Sequence, residues 1–593
     1  MAVFRLENFA GIAPAKSARL LQGGLGQKAE NMTFSSGRIT PLHADSTEYQ
    51  LVSGLIKSIH LYERVGQPDE LFQFTDANVQ ALQSPIASDT HERAYWTGQD
   101  FPRMGDYSGM ISGGGAYPNV SYRLGVPAPS AAPTVAYDTT SGTASEDEEI
   151  QDFSYVYTFV TGFGEEGPPS APSSIITWTS PQVIKVDMPS TSNPSTGNHN
   201  LSTGARKRVY RANAGSNAAY FQLVADVPYT ETSITDNTPS SALAEVLPSE
   251  GWIGPPDDNT SLYPDGPMEG LIAVGNGVFC GFAGTRLCFS EPFLPHAWPI
   301  QYRITIENEI IGISATNNGV IVMTKGFPYF VTGTDPAAMT AIQVDVAQSC
   351  VNRNSIVDMG EYVLYAGPDG LVSVSNTTGQ VISREFISAE QWNADFYPTT
   401  LKAFIYEGLY VAFWTDTTTS PDTHGGWIFD PRRPETAFST FTMEADVLGG
   451  FTVRSTGKLY YIDDGYIKEF QGDSSNERGY QTGVNGATYK SRIFVSQPTS
   501  MGALKIVAQG HPVHFKVWAD GECIADQTMV YDSLTKQYSI LASITPSGAT
   551  GTLGASPIAR LPANHGTEWE VEVNSAHEID EVVLASTVAE LNV

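Results

Sequence analysis

The chain has 593 residues and a formal net charge of −31, from 33 basic and 64 acidic side chains. This length predicts three or four domains rather than one core, and so large an acidic excess excludes ordinary electrostatic binding of nucleic-acid phosphates. With 41% hydrophobic residues, 55 glycines and 37 prolines, the composition excludes a disordered chain and predicts a turn-rich, all-β protein.

The first predicted region is an N-terminal arm, residues 1–44. It carries one short strand candidate around Met32 to Phe34. Such an arm needs a surface to lie on, either its own chain or a neighbouring subunit. The stretch 23–28 is glycine-rich but lacks the spacing, the preceding strand and the Ser or Thr of a phosphate loop, so no phosphate site is expected. Basic residues outnumber Glu7 and Glu30 in the arm; they are Arg5, Lys16, Arg19, Lys28 and Arg38.

Neither a secretory signal nor a membrane span is expected. The first residues lack an apolar segment with a small-residue cleavage site, and no run approaches the roughly 18 apolar residues of a membrane helix. The cysteines, at positions 280, 288, 350 and 523, have no framework spacing and are expected to be reduced and mostly buried. Cys280 and Cys288 fall on the two arms of one predicted hairpin, without a predicted bond.

Residues 45–125 are interpreted as a first propeller part, with strand-like runs such as LIKSIHLYER and RAYWTG. A propeller commonly closes by bringing early and late strands together, because closure removes exposed sheet edges. A proline-rich linker begins the next region, 126–250, where six or seven short strands indicate an inserted fibronectin III-like β-sandwich. In this region Ile184, Val186 and Met188 should face one way, and Lys185 and Asp187 the other.

The main propeller blades are predicted in residues 251–472. A glycine, an apolar run, a second turn glycine and another apolar run recur five times there, with leading glycines about 42, 41, 48 and 49 residues apart. Glycine supplies the positive φ that tight hairpin turns need, and one hairpin every 40 to 50 residues is typical of four-stranded propeller blades. Five blades are clear, and one or two more are inferred before them. The leading glycines are Gly277, Gly319, Gly360, Gly408 and Gly457.

Residues 485–593 are predicted to form a separate C-terminal β-sandwich. Lys516–Trp518 and Trp569–Val573 alternate strictly in polarity, and Asp520-Gly521 has the composition of a hairpin turn. The fold prediction is therefore an all-β β-propeller with an inserted fibronectin III-like sandwich and a C-terminal sandwich. Helix is expected at most as a short turn at Ala389–Ala394.

The sequence predicts no catalytic, cofactor-binding or metal-ligating residue. Walker, GxSxG, CxxC and HExxH patterns are missing from the sequence. His511 and His514 would face opposite sides of a strand, which disfavours a shared metal, and Asp463-Asp464-Gly465 is better explained as a hairpin turn than as a calcium loop. The prediction is a protein that is not an enzyme. Four tryptophans could line a sugar site but more often pack between blades: Trp298, Trp392, Trp414 and Trp427.

Several blocks together carry a family resemblance. LPSEGWIGPP (247–256) and SEPFLPHAWP (290–299) are followed by CVNRNSIVDMGEYVLYAGPDGLVSV (350–374) and EQWNADFYP. In this order, with AENMTFSSGRITPL near the start, the sequence resembles the tail nozzle, or tail tubular protein B-like, family of short-tailed bacteriophages. The block at 290–299 is the most specific part of the likeness.

The resemblance implies a structural role in a virion tail. Proteins of this family form a six-membered ring on a propeller scaffold, below the portal and the tail adaptor protein. The ring extends the channel through which the genome DNA leaves, and tail fibres or spikes attach around it. The resemblance implies that the protein is a homohexamer without an active site, made in the host bacterial cytoplasm and located in the virion.

Charge suggests two hypotheses for such a ring. Six copies would carry about six times −31, or −186, so acidic residues lining the channel would let DNA pass without specific binding. The basic arm could clamp onto an acidic neighbour. Two alternatives remain open: a phage receptor-binding or glycan-degrading tail component, with aromatics and paired acids in an open groove, and a non-viral propeller serving as an interaction module.

Overall fold

The computed structural model describes residues 2–34, 36–64, 66–115, 118–143, 150–190, 193–214, 220–478, 486–542 and 551–592. In this part of the chain, 48 strands accompany only two short α-helices, which confirms the all-β class. The chain divides into two compact units: the first comprises Met1–Lys57, Lys325–Pro328 and Val344–Val593, and the second comprises Ser58–Thr324 and Tyr329–Gln343. No helix among the described residues is long and apolar enough to cross a membrane.

The first unit begins with six strands. They are β1 (Val3–Leu6), β2 (Phe9–Ile12), β3 (Gly24–Glu30), β4 (Met32–Thr33), β5 (Thr40–Pro41) and β6 (His43–Gln50). The strand candidate near residue 32 is thus β4, which pairs with β5. The glycine-rich stretch 23–28 runs into strand β3, which is followed by β4.

The second unit opens with a hairpin and a four-stranded antiparallel sheet. The sheet has the order β12-β11-β10-β9, and the hairpin packs its aromatic residues against it. The elements are β7 (Ser58–Tyr62), β8 (Glu70–Phe74), β9 (Gln80–Gln83), β10 (Arg93–Thr97), β11 (Arg103–Asp106), helix α1 (Tyr107–Met110) and β12 (Tyr122–Arg123).

The described residues of the region 126–250 form seven strands in two sheets with one shared core. One sheet has the order β13-β16-β19 and the other β15-β14-β17-β18. As the alternation predicted, Ile184, Val186 and Met188 are fully buried while Lys185 and Asp187 are not. The acidic run 146–149 lies outside the described residues. The strands are β13 (Thr134–Tyr137), β14 (Ile150–Val160), β15 (Ile176–Thr179), β16 (Ile184–Asp187), β17 (Arg206–Ala214), β18 (Gln222–Pro228) and β19 (Ser233–Asp236).

Two further four-stranded antiparallel sheets complete the second unit. They are β20 (Glu269–Ala273), β21 (Phe279–Ala283), β22 (Arg286–Phe289) and β23 (Ile304–Thr305), then β24 (Ile310–Thr316), β25 (Gly319–Thr324), β26 (Tyr329–Thr332) and β27 (Thr340–Gln343). Cys280 and Cys288 lie on the hairpin β21–β22, as predicted. Cys280 is opposite Phe289 and Cys288 is opposite Gly281, so the two thiols sit on opposite faces and belong to different cores.

The first unit resumes with two more four-stranded sheets and, between them in the chain, four strands of a longer sheet. In the second of the four-stranded sheets, the early strand β6 pairs with β38 and completes the order β36-β37-β38-β6. The elements are β28 (Val357–Asp358), β29 (Val363–Gly367), β30 (Gly370–Ser375), β31 (Thr378–Val381), helix α2 (Ala389–Asp395), β32 (Lys402–Tyr406), β33 (Leu409–Asp416), β34 (Thr423–Phe429), β35 (Phe438–Thr442), β36 (Val447–Thr452), β37 (Leu459–Asp463) and β38 (Tyr466–Glu477).

The five-fold glycine repeat corresponds to the five sheets that begin at β20, β24, β28, β32 and β36. Each leading glycine lies between the first and second strands of its sheet or opens the second strand. Gly277, Gly360, Gly408 and Gly457 have φ between 72° and 94°, a region that side chains other than glycine rarely adopt. The hairpin prediction at the repeat is therefore confirmed.

The remaining strands follow residue 486. They are β39 (Ala487–Ser491), β40 (Phe494–Thr499), β41 (Ala503–Ala508), β42 (Val513–Ala519), β43 (Glu522–Asp532), β44 (Gln537–Ala542), β45 (Gly551–Gly554), β46 (Ile558–Arg560), β47 (Gly566–Ser575) and β48 (Ile579–Ala585). Asp520 and Gly521, both with positive φ, form the predicted turn between β42 and β43. Short 3-10 helices lie at Thr196–Asn198, Ser240–Ala242, Ile300–Tyr302, Pro336–Ala338, Arg353–Ser355, Pro434–Thr436 and Val588–Asn592.

The arm and the C-terminal strands are not separate bodies, which differs from the sequence interpretation. One sheet has the order β1-β48-β41-β46, and a longer one runs β32-β33-β34-β35-β2-β3-β39-β47-β42-β43-β44-β45. The core between them contains Leu6, Phe9, Ala29 and Met32 from the arm together with residues from Ala487 onward. Strands β2 and β3 therefore join the sheet that begins at β32 to the C-terminal strands, a long-range pairing that no local pattern signals.

Candidate functional site

One buried charged site of the second unit is centred on two adjacent carboxylates, Glu165 and Glu166. Both belong to the turn that follows β14, and both are about 95% buried. The turn is closed by its own backbone, since the amide of Thr161 donates to the carbonyl of Glu165 at 2.9 Å. Two buried acids side by side need cationic or hydrogen-bonding partners, because an isolated buried charge is costly.

Glu165 faces the four-stranded sheet β9–β12. Arg93, the first residue of β10, donates from Nη1 to Glu165 Oε1 at 2.8 Å and from Nε to Asp89 Oδ2 at 2.7 Å. The side chains of all three residues are at most 7% exposed. Arg93 therefore bridges two carboxylates and ties the turn to β10.

Glu166 faces the opposite way, into the seven-stranded region. Its Oε1 accepts from Thr158 Oγ1 at 2.7 Å and from Tyr210 Oη at 2.6 Å, and its Oε2 accepts from Arg208 Nη1 at 2.8 Å. The pair of acids thus works as a two-sided latch, which we call the Glu165–Glu166 latch: one carboxylate binds the four-stranded sheet and the other binds strands β14 and β17.

His296 brings the block SEPFLPHAWP to this latch. Its Nδ1 lies 3.9 Å from Glu165 Oε1, and its ring meets Trp252 edge to face at 6.0 Å. The backbone amide of Trp298 donates to the carbonyl of Ile253 at 2.7 Å. The blocks 247–256 and 290–299, both of which carried the family resemblance, are therefore in contact beside the latch.

Burial sets the protonation of this cluster. Burial raises the pKa of Glu165 above its ordinary value, and the Arg93 guanidinium opposes that rise. Burial lowers the pKa of His296 to about 4, helped by repulsion from Arg93. His296 is neutral near pH 7 as a result, while Arg93 carries the positive charge of the cluster.

Enclosure decides what the cluster can do. His296 is 3% exposed and Glu165 is 4% exposed, so neither reaches a solvent-borne substrate. A carboxylate, an imidazole and a guanidinium could serve acid–base chemistry in an open cleft, but here each is committed to neighbouring strands. The arrangement can fix one part of the second unit upon another, and sequence reasoning missed it because Arg93 and His296 lie far from residue 165 in the chain. The one signal was an acid pair in an otherwise apolar, proline-bounded turn.

A cleft of about 960 Å³ lies in the first unit, between the arm and the turns after β31 and β34. Gly23 and Gly24 line it together with apolar residues and both signs of charge. Lys28, by contrast, lies on β3 and pairs with Glu30 at 3.0 Å, so the phosphate-loop pattern does not gather a cationic cradle. The charged residues of the lining are Lys16, Glu385, Arg433 and Glu435.

Three arginines of the arm pair with acids near the C-terminal end of the same chain. Arg38 Nε lies 2.8 Å from Asp580 Oδ1, and Arg5 Nη1 lies 3.5 Å from Glu581 Oε1. Arg19 forms an ion pair with Glu568, whose backbone belongs to β47. The acidic neighbour that the sequence analysis sought for the arm is thus present within the chain itself.

The tryptophans, the two histidines and the acidic turn that the sequence offered as candidate sites all pack or bond within the fold. Trp298, Trp392 and Trp427 are completely buried, and Trp414 stacks on Tyr397 at 4.5 Å. His514 bonds to Thr528 at 3.1 Å and lies 3.0 Å from Asp526, while His511 contacts the rings of Tyr531 and Tyr538. Asp464 and Gly465 form the predicted turn between β37 and β38. Among the described residues, no group of three or more His, Cys, Asp or Glu side chains could hold a metal ion.

Comparison with known proteins adds little at the level of sequence. No family model matches the chain, and no curated protein matches it. Solved structures that resemble parts of it include the Pan2 WD40 domain of Neurospora crassa, at 7% identity and a TM-score of 0.24, covering 46% of this chain and 87% of that one. Hsv2 of Kluyvelomyces marxianus has 8% identity and a TM-score of 0.23, and the match covers 57% of this chain and 93% of Hsv2. An exo-β-1,3-galactanase from Phanerochaete chrysosporium has 9% identity and a TM-score of 0.22, and the match covers 64% of this chain and 93% of the galactanase chain. By its own strands, the described part of the chain is an all-β protein with many small sheets.

Proposed function

We propose that this chain is a structural ring protein of a virion tail, the tail nozzle of a short-tailed bacteriophage. The observation that carries the proposal is a succession of four-stranded antiparallel groups, five of which have a repeat glycine between their first and second strands or at the start of the second. Six such groups occur in the described residues: β9–β12, which has no repeat glycine, then β20–β23, β24–β27, β28–β31, β32–β35 as part of the longer sheet, and β36–β38 with β6. Contacts between the first strands of neighbouring sheets, such as β20 with β24 and β32 with β36, are what a propeller requires at its axis.

In this proposal the sheets of each unit are propeller blades, and β6 closes the blade β36–β38. Pairing an N-terminal strand with the final blade is a common way to close a propeller, because it leaves no unpaired ladder at the seam. The seven-stranded region 126–250 is then an inserted fibronectin III-like sandwich. The Glu165–Glu166 latch would hold that insert on the first blade.

The surroundings of the charged residues support a passive role. The buried acids of the latch are occupied by protein partners, and three of the four tryptophans that could have lined a sugar site are core residues. The net charge of −31 disfavours adhesion of DNA, because there is no counterion release to drive binding. We propose that six copies form a ring below a portal and an adaptor protein, that the genome passes through it, and that fibres or spikes attach outside.

The arm requires a revised hypothesis. Arg5, Arg19 and Arg38 already have acidic partners within the chain, so clamping of a neighbouring subunit is not needed to explain them. Deletion of residues 1–40 would also remove β1 to β3 from a core. Loss of ring assembly after that deletion would therefore not distinguish a clamp from a folding defect.

The deciding experiment is electron cryo-microscopy of virions that carry this chain. We expect a six-fold ring at the tail, with density for six copies of the 63.9 kDa chain. A trimeric spike, or a tail without this chain, would refute the proposal. Purified protein offers a second test: we expect no retention on double-stranded DNA even at low salt, whereas polysaccharide turnover would favour the glycan-degrading alternative.

A further inference from the structure

The N-terminal strands β1–β6 are paired with late parts of the chain. In the described residues, each of their strand pairings is with one another or with strands that begin at residue 438 or later. Val3 is opposite Ala585, Ile12 is opposite Phe438, and Lys28 is opposite Lys490. The whole of residues 58–324 separates this segment from its partners in the sequence.

The late strands that pair with β1–β6 form an acceptor, by which we mean a set of strand edges that can bind an extended segment of chain. Strands β35, β39 and β48 offer backbone hydrogen bonds to β2, β3 and β1, and β38 offers them to β6. The core beneath takes up Leu6, Phe9, Ala29 and Met32, each at most 4% exposed. Without the N-terminal segment these strand edges would be unpaired, and unpaired edges recruit other extended chains.

Side-chain contacts specify how the segment sits. The backbone amide of Asn31 donates to the carbonyl of Thr440 at 2.8 Å, and the side-chain Oδ1 of Asn31 accepts from the backbone amide of Thr442 at 3.1 Å. Gln27 donates to Ser491 O at 2.8 Å. The ion pairs of Arg5, Arg19 and Arg38 with Glu581, Glu568 and Asp580 add a complementary charge pattern. The acceptor thus recognises one register of one sequence.

The connection to the rest of the chain is suited to a hinge. Residues 52–55 are all exposed, between buried Leu51 and Ile56. Gly54 has open space around it. A segment that is held by one acceptor and joined through an exposed hinge can be exchanged between identical chains at little cost, because every native contact is reproduced in the exchanged form.

From this we propose that residues 2–50 are a strand donor that a second copy of this chain can accept. The partner is another copy of the same chain, and the surface is the one built from β35, β38, β39 and β48. The inference does not rest on the proposed function. It predicts linked dimers that are formed through this segment when chains fold together.

The test uses full-length chains with one new cysteine each. The exposed thiol is removed by C523A in every variant. Chains with K28C are mixed with chains with K490C, unfolded together, refolded and oxidised. Because Lys28 and Lys490 are directly opposite across β3 and β39, a disulfide between two chains requires that the donor of one chain lies in the acceptor of the other.

We expect a disulfide-linked dimer whose yield rises about tenfold from about 10 to about 100 µM chain. Capture by a second chain is proportional to concentration, while capture within one chain has a fixed effective concentration. The matched control is a mixture of T488C and N574C chains. Thr488 and Asn574 are also opposite each other but lie on the same side of the hinge, so this mixture should give no linked dimer.

A third variant, K28C/K490C in one chain, checks folding and register. It should form the disulfide within a single chain at low concentration. If it does so and the mixed chains never link, the donor is confined to its own chain and the proposal is wrong. Linkage in the T488C and N574C mixture at a similar yield would also overturn it, because the contact would then be unspecific association.

Discussion

Removal of Arg93 should be among the most damaging single substitutions in the second unit. The Arg93 guanidinium forms ion pairs with Glu165 at 2.8 Å and with Asp89 at 2.7 Å, and all three side chains are at most 7% exposed. R93M keeps the apolar length of the side chain but leaves two buried carboxylates without their cation. Breaking a buried ion pair by removing one partner costs roughly 3–5 kcal/mol, and two stranded acids place the expectation near the upper end of that range.

Two companion variants separate charge from packing. E165Q keeps the shape and the acceptor oxygen and leaves Arg93 paired with Asp89, so we expect a loss of about 1–2 kcal/mol. The double variant R93M/E165Q should be less damaged than the sum of the single variants, with a coupling of about 2 kcal/mol. The matched control is K185M, which breaks the pair with Asp187 at 2.8 Å; those side chains are 44% and 42% exposed, and we expect less than about 1 kcal/mol.

The assay must report local free energies, because a chain with two compact units need not unfold in one step. Hydrogen exchange of peptides that cover β10 and the turn 161–166 provides them. The pH dependence gives an independent check: Glu165 has a raised pKa when folded, so the wild type should lose stability relative to E165Q as the pH rises above about 4.5. If R93M costs no more than K185M, or if the pH dependence has the opposite sign, the latch does not hold the second unit as described.

Three further predictions concern other features. His296 has a pKa of about 4 when folded, against 6.5 when exposed. Between these pH values the unfolded chain binds a proton that the folded chain does not bind. On acidification the wild type should therefore lose about 3 kcal/mol more of its free energy of unfolding than H296Q, measured by denaturation at pH 7 and pH 4. A Cβ at Gly11 would lie 1.9 Å from the backbone oxygen of Phe438, so G11A should destabilise the seat of β2 by at least about 2 kcal/mol, whereas G54A, which meets open space, should be nearly neutral; equal thermal melts would contradict this. R38E should lower the free energy of unfolding by less than about 1 kcal/mol, because the Arg38 side chain is 48% exposed. Adding D580R to R38E should restore the loss at low salt, and no difference between the variants should remain in about 1 M salt.

The sequence was most informative where its pattern is local. Gly277, Gly360, Gly408 and Gly457 announced hairpins because a left-handed turn excludes most other residues, and a tight turn fixes which strands are neighbours. The alternation at 184–188 likewise fixed the buried face of β16, since successive side chains on a strand point to opposite sides.

Long-range partners could not be read in the same way. Nothing near Phe9 indicates that its strand is inserted beside β35 and β3, because strand pairing depends on edges made by distant parts of the chain. The same limit hid Arg93 and His296, whose roles appear only when residues 165 and 166 are placed between two sheets. The predicted arm was consequently interpreted as a surface feature, and the C-terminal sandwich as a separate domain.

The placement of the thiols gives the molecule its own reporters of local opening. Cys280 and Cys288 are buried in the second unit, on two faces of one hairpin, and Cys350 is buried in the first unit, whereas Cys523 is exposed. Burial raises the pKa of Cys288 to about 11 and that of Cys350 to about 12, so these sulfurs stay protonated and slow to alkylate until their sheets open. Timed reaction with a coloured disulfide reagent would therefore modify Cys523 first, and the later phases would time the breathing of each unit without any introduced label.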